Sequence, residues 1–363
     1  MSVIGLFGQD VFGSGYFGVI SQNIPITATV INSLIESALV QEFENIQQIG
    51  NTVTIGGVDV SDLVESITIR TSERRVVASC TLVLIGSSPA TVAVDAEVEV
   101  ITTFRFETGD IFTNTLFTGV IRSIQPSSGS KTSSVTVLSY DAADAALSAA
   151  PTNATWTGTN VALVASELTA AGFATQDLDF ASFSMTAVDV SGFATVRDLI
   201  LAAANALDEA VAWIKIDGTF CVKSVTAFSE SGFTVPQTGY TYLQQTNNAN
   251  DRYSTVTVQG ITGLTGSSAG TGYYSLSETS SFLTLAADCE TKAAAIVARS
   301  EAIQWSAQVP LNPLVRVGDI ITVVDENGVD QSCRVTGVSH TVQWSSPESS
   351  PGAWSNIQLE DAA

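Results

Sequence analysis

The stretch Phe117-Thr-Gly-Val-Ile-Arg-Ser-Ile-Gln125 has a counterpart far down the chain, Val335-Thr-Gly-Val-Ser-His-Thr-Val-Gln343. In both, apolar and polar residues alternate, which is the period of a strand with one buried face. Upstream of each lies a further strand-like run carrying acidic residues, Asp95-Ala-Glu-Val-Glu-Val100 and Gly318-Asp-Ile-Ile-Thr-Val323. A Thr-Gly-Val match alone is cheap. Matched strands on both sides of it read as two copies of one β-barrel.

Working outward from the first copy, Val53, Ile55, Ile67 and Ile69 alternate with polar residues, and Cys80 to Ile85 follows. Glu97 to Phe106, Thr115 to Ile124 and Ser134 to Ser139 continue the strand character, with Gly/Ser/Pro turns between. Short strands at this spacing mean a sandwich or small barrel. Around the second copy, Thr255 to Gln259 reads as a strand, Gly263 to Gly272 as a Gly/Ser-rich loop and Leu285 to Ile303 as an Ala-rich helix. Val317 to Val324, a turn at Asn327-Gly328 and Ser332 to Trp344 make a hairpin.

Between the copies the pattern is mixed. Asn160 to Ala171 reads as a helix closed by Gly172, and Thr195 to Leu207 as a second. The run from Ala210 to Val225 is a hairpin turning on Asp217-Gly218. At the other end, Met1 to Ile26 is a Gly- and Phe-rich arm. Its Gly13-x-Gly15-x-x-Gly18 lacks the strand before and the helix after that a dinucleotide site needs. Ile31 to Phe43 follows helical spacing, with Ser33 and Glu36 placed as a capping box. The fold class expected is mainly β with an α+β insert, two β-barrels plus a smaller mixed domain. The boundaries fall at 1–50 (arm and helix), 51–147 (first barrel), 148–236 (mixed domain) and 237–363 (second barrel with a helix).

Composition narrows the function. Asp and Glu outnumber Lys and Arg 36 to 14, for a net charge of -22. Wrapping a phosphate backbone needs clustered cations, so stable nucleic-acid binding is excluded as a main role. Cys80, Cys221, Cys289 and Cys333 are scattered with no CxxC pair, which points to buried free thiols rather than zinc. No Lys or Arg precedes Arg70 and no run approaches the ~20 apolar residues of a membrane helix, so neither an export signal nor membrane insertion is expected.

The pattern of Leu116-Phe-Thr-Gly-Val-Ile121, Val135-Thr-Val-Leu-Ser-Tyr-Asp-Ala142, Pro313-Leu-Val-Arg-Val-Gly-Asp-Ile-Ile-Thr-Val323 and Arg334-Val-Thr-Gly-Val-Ser-His340 resembles the baseplate and tail-tip hub proteins of tailed bacteriophages and related contractile injection machines. The resemblance spans about Asn51 to Leu359 and rests on loose strand patterns; the arm before Asn51 has no counterpart in it. It implies two tube-like barrels per chain and a homotrimeric ring. Six barrels would then meet a six-fold tail tube or tube-initiator ring protein above, and three chains a trimeric spike or tail-tip protein below. It further implies a virion location after assembly in the host cytoplasm, contact with a tape-measure protein, and DNA passing through without specific binding. An acidic wall repels DNA over about one Debye length, ~8 Å at physiological salt.

Against this stand readings that would make the chain an enzyme or a surface module. The single histidine, His340, lies in an alternating strand without a Gly-x-Ser-x-Gly elbow, and is expected to be a partly exposed strand residue. Asp59 with Asp62, and Asp325, Glu326 and Asp330, have the residue types of a calcium site, but Asn327-Gly328 marks the second group as a hairpin tip. Trp156, Trp213, Trp305, Trp344 and Trp354 could line a sugar surface, with core packing the default. A carboxylate pair for glycoside hydrolysis has no readable spacing. The expectation is a structural hub with no catalytic residue, no cofactor and no metal. The alternative is a secreted or surface-displayed β-domain, surface-layer or carbohydrate-binding, and behind it a glycoside hydrolase.

Overall fold

A computed structural model describes residues 46–73, 76–86, 92–106, 111–128, 133–141, 143–214, 218–225, 227, 230–235, 240–246, 252–261, 263–313, 315–343 and 352–361. The arm, the helix over 31–43, Asp217 and Trp344 lie outside these residues.

The first third forms strands β1 (Ile46–Ile55), β2 (Val58–Asp59), β3 (Val64–Ser72), β4 (Ser79–Ile85), β5 (Glu97–Phe106), β6 (Ile111–Ser128) and β7 (Ser133–Asp141). The middle brings α1 (Ala143–Leu147), β8 (Thr155–Thr159), α2 (Asn160–Ala170), β9 (Gln176–Asp179), β10 (Ser184–Asp189), α3 (Val196–Ala204), β11 (Ala210–Ile214) and β12 (Phe220–Ser224). The last third holds β13 (Glu230–Val235), β14 (Tyr242–Thr246), β15 (Tyr253–Gln259), β16 (Thr265–Ala269) and β17 (Tyr274–Thr279). After them come α4 (Ala286–Glu301), β18 (Gln304–Pro310), β19 (Ile320–Val324), β20 (Asp330–Gln343) and β21 (Gly352–Asp361).

The chain is mainly β. Thirteen strands share one sheet, and within it the same order occurs twice: β3-β4-β7-β6-β5-β1 in the first half and β14-β18-β21-β20-β19-β13 in the second. One pairing differs, since β1 runs antiparallel to β5 whereas β13 runs parallel to β19. The halves join because β20 is long. Its start pairs with β19, and Gly337 to Gln343 then pairs with β3. Among the described strands the pairing runs as one open path through both halves with β19 and β13 branching from it at β20, and neither half closes into a ring.

Hydrogen bonds fix the register of the two copies, and it is not the one the Thr-Gly-Val match gives. Ile121 donates to the Ala96 carbonyl (2.9 Å) and accepts from the Asp95 N–H (2.9 Å); Val335 donates to Asp319 (2.8 Å) and accepts from Gly318 (2.8 Å). Asp95 and Gly318 both have positive φ, 67° and 93°. Arg122 and Thr336, the next residues, are both bulged out of the ladder. Ile121 therefore corresponds to Val335, four residues away from the sequence alignment. A slip by an even number keeps every side chain on its own face, so alternation cannot detect it. The bulge and the positive-φ corner can.

Three cores result. The first half packs Val53, Ile55, Ile67, Ile69, Leu82 and Phe104, joined by Leu311 and Val342 from the second. The second packs Trp305, Ile321, Val323, Val335, Ile357 and Leu359. The third contains both the middle helices and α4: Leu163, Leu199 and Phe220 share it with Val256, Phe282 and Ile296, and the Phe193 and Phe282 rings stack at 5.5 Å. The starts of α2 and α3 are set by capping threonines. Thr159 accepts from the Ala162 N–H and Thr195 from the Asp198 N–H, each at 3.1 Å. Gly172, at φ 96°, ends the first of these helices as expected.

The supposed loop over Gly263 to Gly272 instead contains β16, paired with β15. Its residues read as loop because they are small and polar, and small is what the packing needs. A Cβ on Gly266 would lie 2.1 Å from the Glu290 nitrogen and 2.5 Å from the Cys289 carbonyl carbon, so α4 lies directly on the strand backbone. Gly266→Ala should therefore lower stability by about 1–3 kcal/mol through overpacking. Gly192→Ala, where nothing lies within 4 Å, should change it by less than about 0.5 kcal/mol. Urea unfolding of the two variants checks the pair.

Candidate functional site

The residue types that suggested chemistry are each absorbed locally. Asp325 caps its own hairpin, accepting from the N–H groups of Asn327 (2.8 Å) and Val329 (2.9 Å), and Gly328 takes the φ of 77° that the turn requires. Asp59 accepts from both the N–H and the hydroxyl of Ser61, which hold its carboxyl below the usual range. No group of three His, Cys, Asp or Glu among the described residues is arranged to hold a metal ion. The four cysteines are buried and form no disulfide, and burial pushes the Cys333 thiol up to about 12.

His340 is buried rather than partly exposed. β20 is covered on both edges there, with Ile69 on one side and Ser355 on the other. The Nδ1 atom lies 2.8 Å from the Ser355 hydroxyl, which itself accepts from the Asn312 N–H (3.0 Å). The hydroxyl thus links the ring on β20 to the backbone at Asn312. Burial lowers the pKa to about 4. The pair is a rivet between strands.

The tryptophans belong to separate elements. Trp305 is buried in the second-half core and donates from Nε1 to Asp361 (2.7 Å). Trp156 is half-buried against the middle core and donates to the Thr159 carbonyl (3.1 Å). Trp213 lies on β11 and Trp354 on β21, both half-buried.

The most heavily charged place in the interior was not anticipated from the sequence. Glu73, just past β3, bonds both Arg334 on β20 (2.8 Å) and Arg299 on α4. Arg334 also pairs with Glu360 on β21 (2.7 Å), and Arg299 with Glu209, just before β11 (2.7 Å). Lys292, one helical stretch earlier on α4, closes the group on Glu209 (2.6 Å). Three carboxylates balance three cations. Burial alone would raise Glu209, but Lys292 and Arg299 outweigh it and hold its carboxyl below the usual range. Burial would lower Arg299, and Glu73, Glu360 and Glu209 reverse this. For Glu360 burial wins, with the nearby Glu73 adding to it, so its carboxyl stays above the usual range despite both arginines. A polar cavity of about 400 Å³ opens beside the cluster, lined by Ser72, Glu73, Arg299, Trp305 and Glu360. This arrangement fastens modules together; its charges are already spent on one another.

The fold thus defines a mainly β protein in which one strand order occurs twice and the middle helices share a core with β15 and α4. The chain shares this fold with several solved structures. A tail protein from Neisseria meningitidis superimposes with a TM-score of 0.64 at 16% identity, covering 86% of this chain and 96% of that one. The 43 kDa tail protein of prophage MuSo2 from Shewanella oneidensis gives 0.65 at 12%, covering 85% and 97%. An E. coli type VI secretion component, described as structurally similar to bacteriophage T4 tail proteins, gives 0.51 at 11%, covering 86% and 77%. No protein-family model and no curated protein matches the sequence.

Two outcomes follow. Arg334→Met removes one of the two cations that Glu73 and Glu360 share, leaving both carboxylates to Arg299 alone, and should cost about 3–5 kcal/mol; adding Glu73→Gln and Glu360→Gln should recover a large part of it. Chemical denaturation of the single and triple variants reads this. His340, the one histidine in the chain, has a folded pKa depressed from 6.5 to about 4. Its contribution is complete above pH 6.5 and is lost as pH falls toward 4, because only the unfolded chain takes up the proton in that window. Relative to His340→Gln, the native chain should lose about 3 kcal/mol across it.

Proposed function

We propose that this chain is a structural hub of a phage tail baseplate or tail tip, and that it catalyses nothing. The observation that carries the reading is the repeated strand order, β3-β4-β7-β6-β5-β1 and β14-β18-β21-β20-β19-β13, in one chain. Two copies of one unit give a single chain two similar docking edges. Three such chains around an axis give six, through heterologous contacts that close into a ring. That ring would join a six-fold tail tube or tube-initiator protein to a three-fold spike or tail-tip protein, with a tape-measure protein as a further contact. The tail proteins of Neisseria and Shewanella that share the fold over nearly their whole length support this assignment.

The charge fits the role. A net charge of -22 keeps DNA from sticking while it passes, and contributes nothing toward holding it. No described helix is long and apolar enough to cross a membrane. Residues 51–147 and 237–363 carry in this reading the tube-like units and 148–236 the mixed domain between them, save that β13 joins the second half's sheet and α4 packs in the core of the middle helices.

Light scattering on the purified chain tests the proposal. The expected mass is three times the 37.9 kDa of one chain, rising toward that limit with concentration and with salt that screens the acidic surfaces. A two-fold dimer or an extended lattice overturns it.

A further inference from the structure

The two copies of the strand order are not used equally within one chain. β3 adds to Gly337 to Gln343 of β20, the part of that strand beyond its bulge and beyond β19. By the register set at Ile121 and Val335, the same part of the first copy is residues 123–128 of β6. Those residues pair with β7 on one edge, while β5 stops at Val120, so among the described strands their other edge is open. The counterpart of β3 is β14. It pairs with β18 as β3 pairs with β4, and its far edge is open in the same sense. One chain therefore carries both halves of a second joint of the same kind, at places where they cannot meet each other.

We propose that the open edge of β14 in one copy of the chain adds to residues 123–128 of β6 in the next, repeating the internal joint between β3 and β20. This rests on the ring reading above and names its contact. Register transfers through the ladder. Cys80 and Trp305 occupy matching places opposite Ser139 and Leu359, and they pair with Ile69 and Gln245. Ser339 lies opposite Arg70 and His340 opposite Ile69. Across the new joint Gln125 then faces Thr246, and Pro126 faces Gln245.

A second copy is the occupant the surface fits. Residues 123–128 read Ser-Ile-Gln-Pro-Ser-Ser and β14 reads Tyr-Leu-Gln-Gln-Thr, so two uncharged edges stand out on a chain of net charge -22. Open edges are usually blunted by charge, and these are not. The new joint is weaker than the internal one. At the place of Arg334 the first copy has Val120, so the ionic clamp to Glu73 and Glu360 is not repeated. Pro126 also lacks an N–H and removes at most one ladder bond. Reversible, concentration-dependent closure follows.

Gln125 and Thr246 are both exposed, and the native cysteines are all buried, so introduced thiols report cleanly. Directly opposed cross-strand residues bring their Cβ atoms to about 5 Å, near disulfide range. The double variant Gln125→Cys, Thr246→Cys should give, under mild oxidation, covalent species up to three chains at least about ten-fold above the control Gln125→Cys, Asn327→Cys. Mixing the two single variants should give linked pairs only. Three-chain mass in solution without cross-links above the control overturns the edge pairing and leaves the ring standing. A single-chain mass at every concentration up to about 100 µM, with no cross-links, removes both.

Discussion

Glu73 is where the architecture is tied. Its carboxylate is buried between Arg334 and Arg299, so the end of the first half's β3 is held both to the second half's β20 and to helix α4. Arg299 extends the tie to Glu209 and the mixed domain, and Glu360 extends it to β21. Five pieces of chain are thereby fixed at one point. Buried ions of this kind are weak evidence for net stability, because desolvation offsets much of their attraction. They specify instead. Any other docking of the mixed domain on the halves would leave at least one of these charges unpaired.

The duplication explains why such a tie is needed. A strand added to a sheet edge is held mainly by backbone bonds that any other edge could supply, so β3 on β20 has little intrinsic selectivity. The charged cluster supplies it inside the chain, and Val342 and Leu311 seal the same boundary by entering the first half's core. Divergence between the copies falls where their surroundings differ. Asp95, with positive φ at the corner before β5, is replaced by Gly318, and the bulged Arg122 by Thr336. Arg122 is partly exposed and pairs with Asp95 at 2.7 Å; Thr336 instead turns its carbonyl to the Glu73 N–H at 3.1 Å, inside the joint.

Much of the fold was legible because its signals are local. Strand alternation, the capped helices from Asn160 and Thr195 and the Asn327-Gly328 turn all report on neighbours within a few residues. Duplication was legible in kind, but its register was not, since a four-residue slip preserves every inward and outward face. β16 was missed because Thr, Gly, Ser and Ala there fit a close approach to α4 rather than an apolar face, and β17 because it is exposed along most of its length. The cluster around Glu73 was invisible as a site, since its partners have no common spacing. One trace of it was readable: Cys289, Lys292, Ala293, Ile296 and Val297 form the buried stripe of α4, and a lysine on such a stripe calls for a buried acid. His340 was misread as partly exposed because alternation does not say that both edges and the facing layer are occupied.

If the proposed ring forms, it should look six-fold from a distance and three-fold up close, since each chain brings two similar but unequal halves. Electron-microscope class averages of the purified assembly, viewed down the ring axis, measure this directly. Rings of three chains with a six-lobed outline, alternating lobes of two kinds and an open centre are the predicted result. Rings of six identical lobes, or particles with no central opening, would contradict the account.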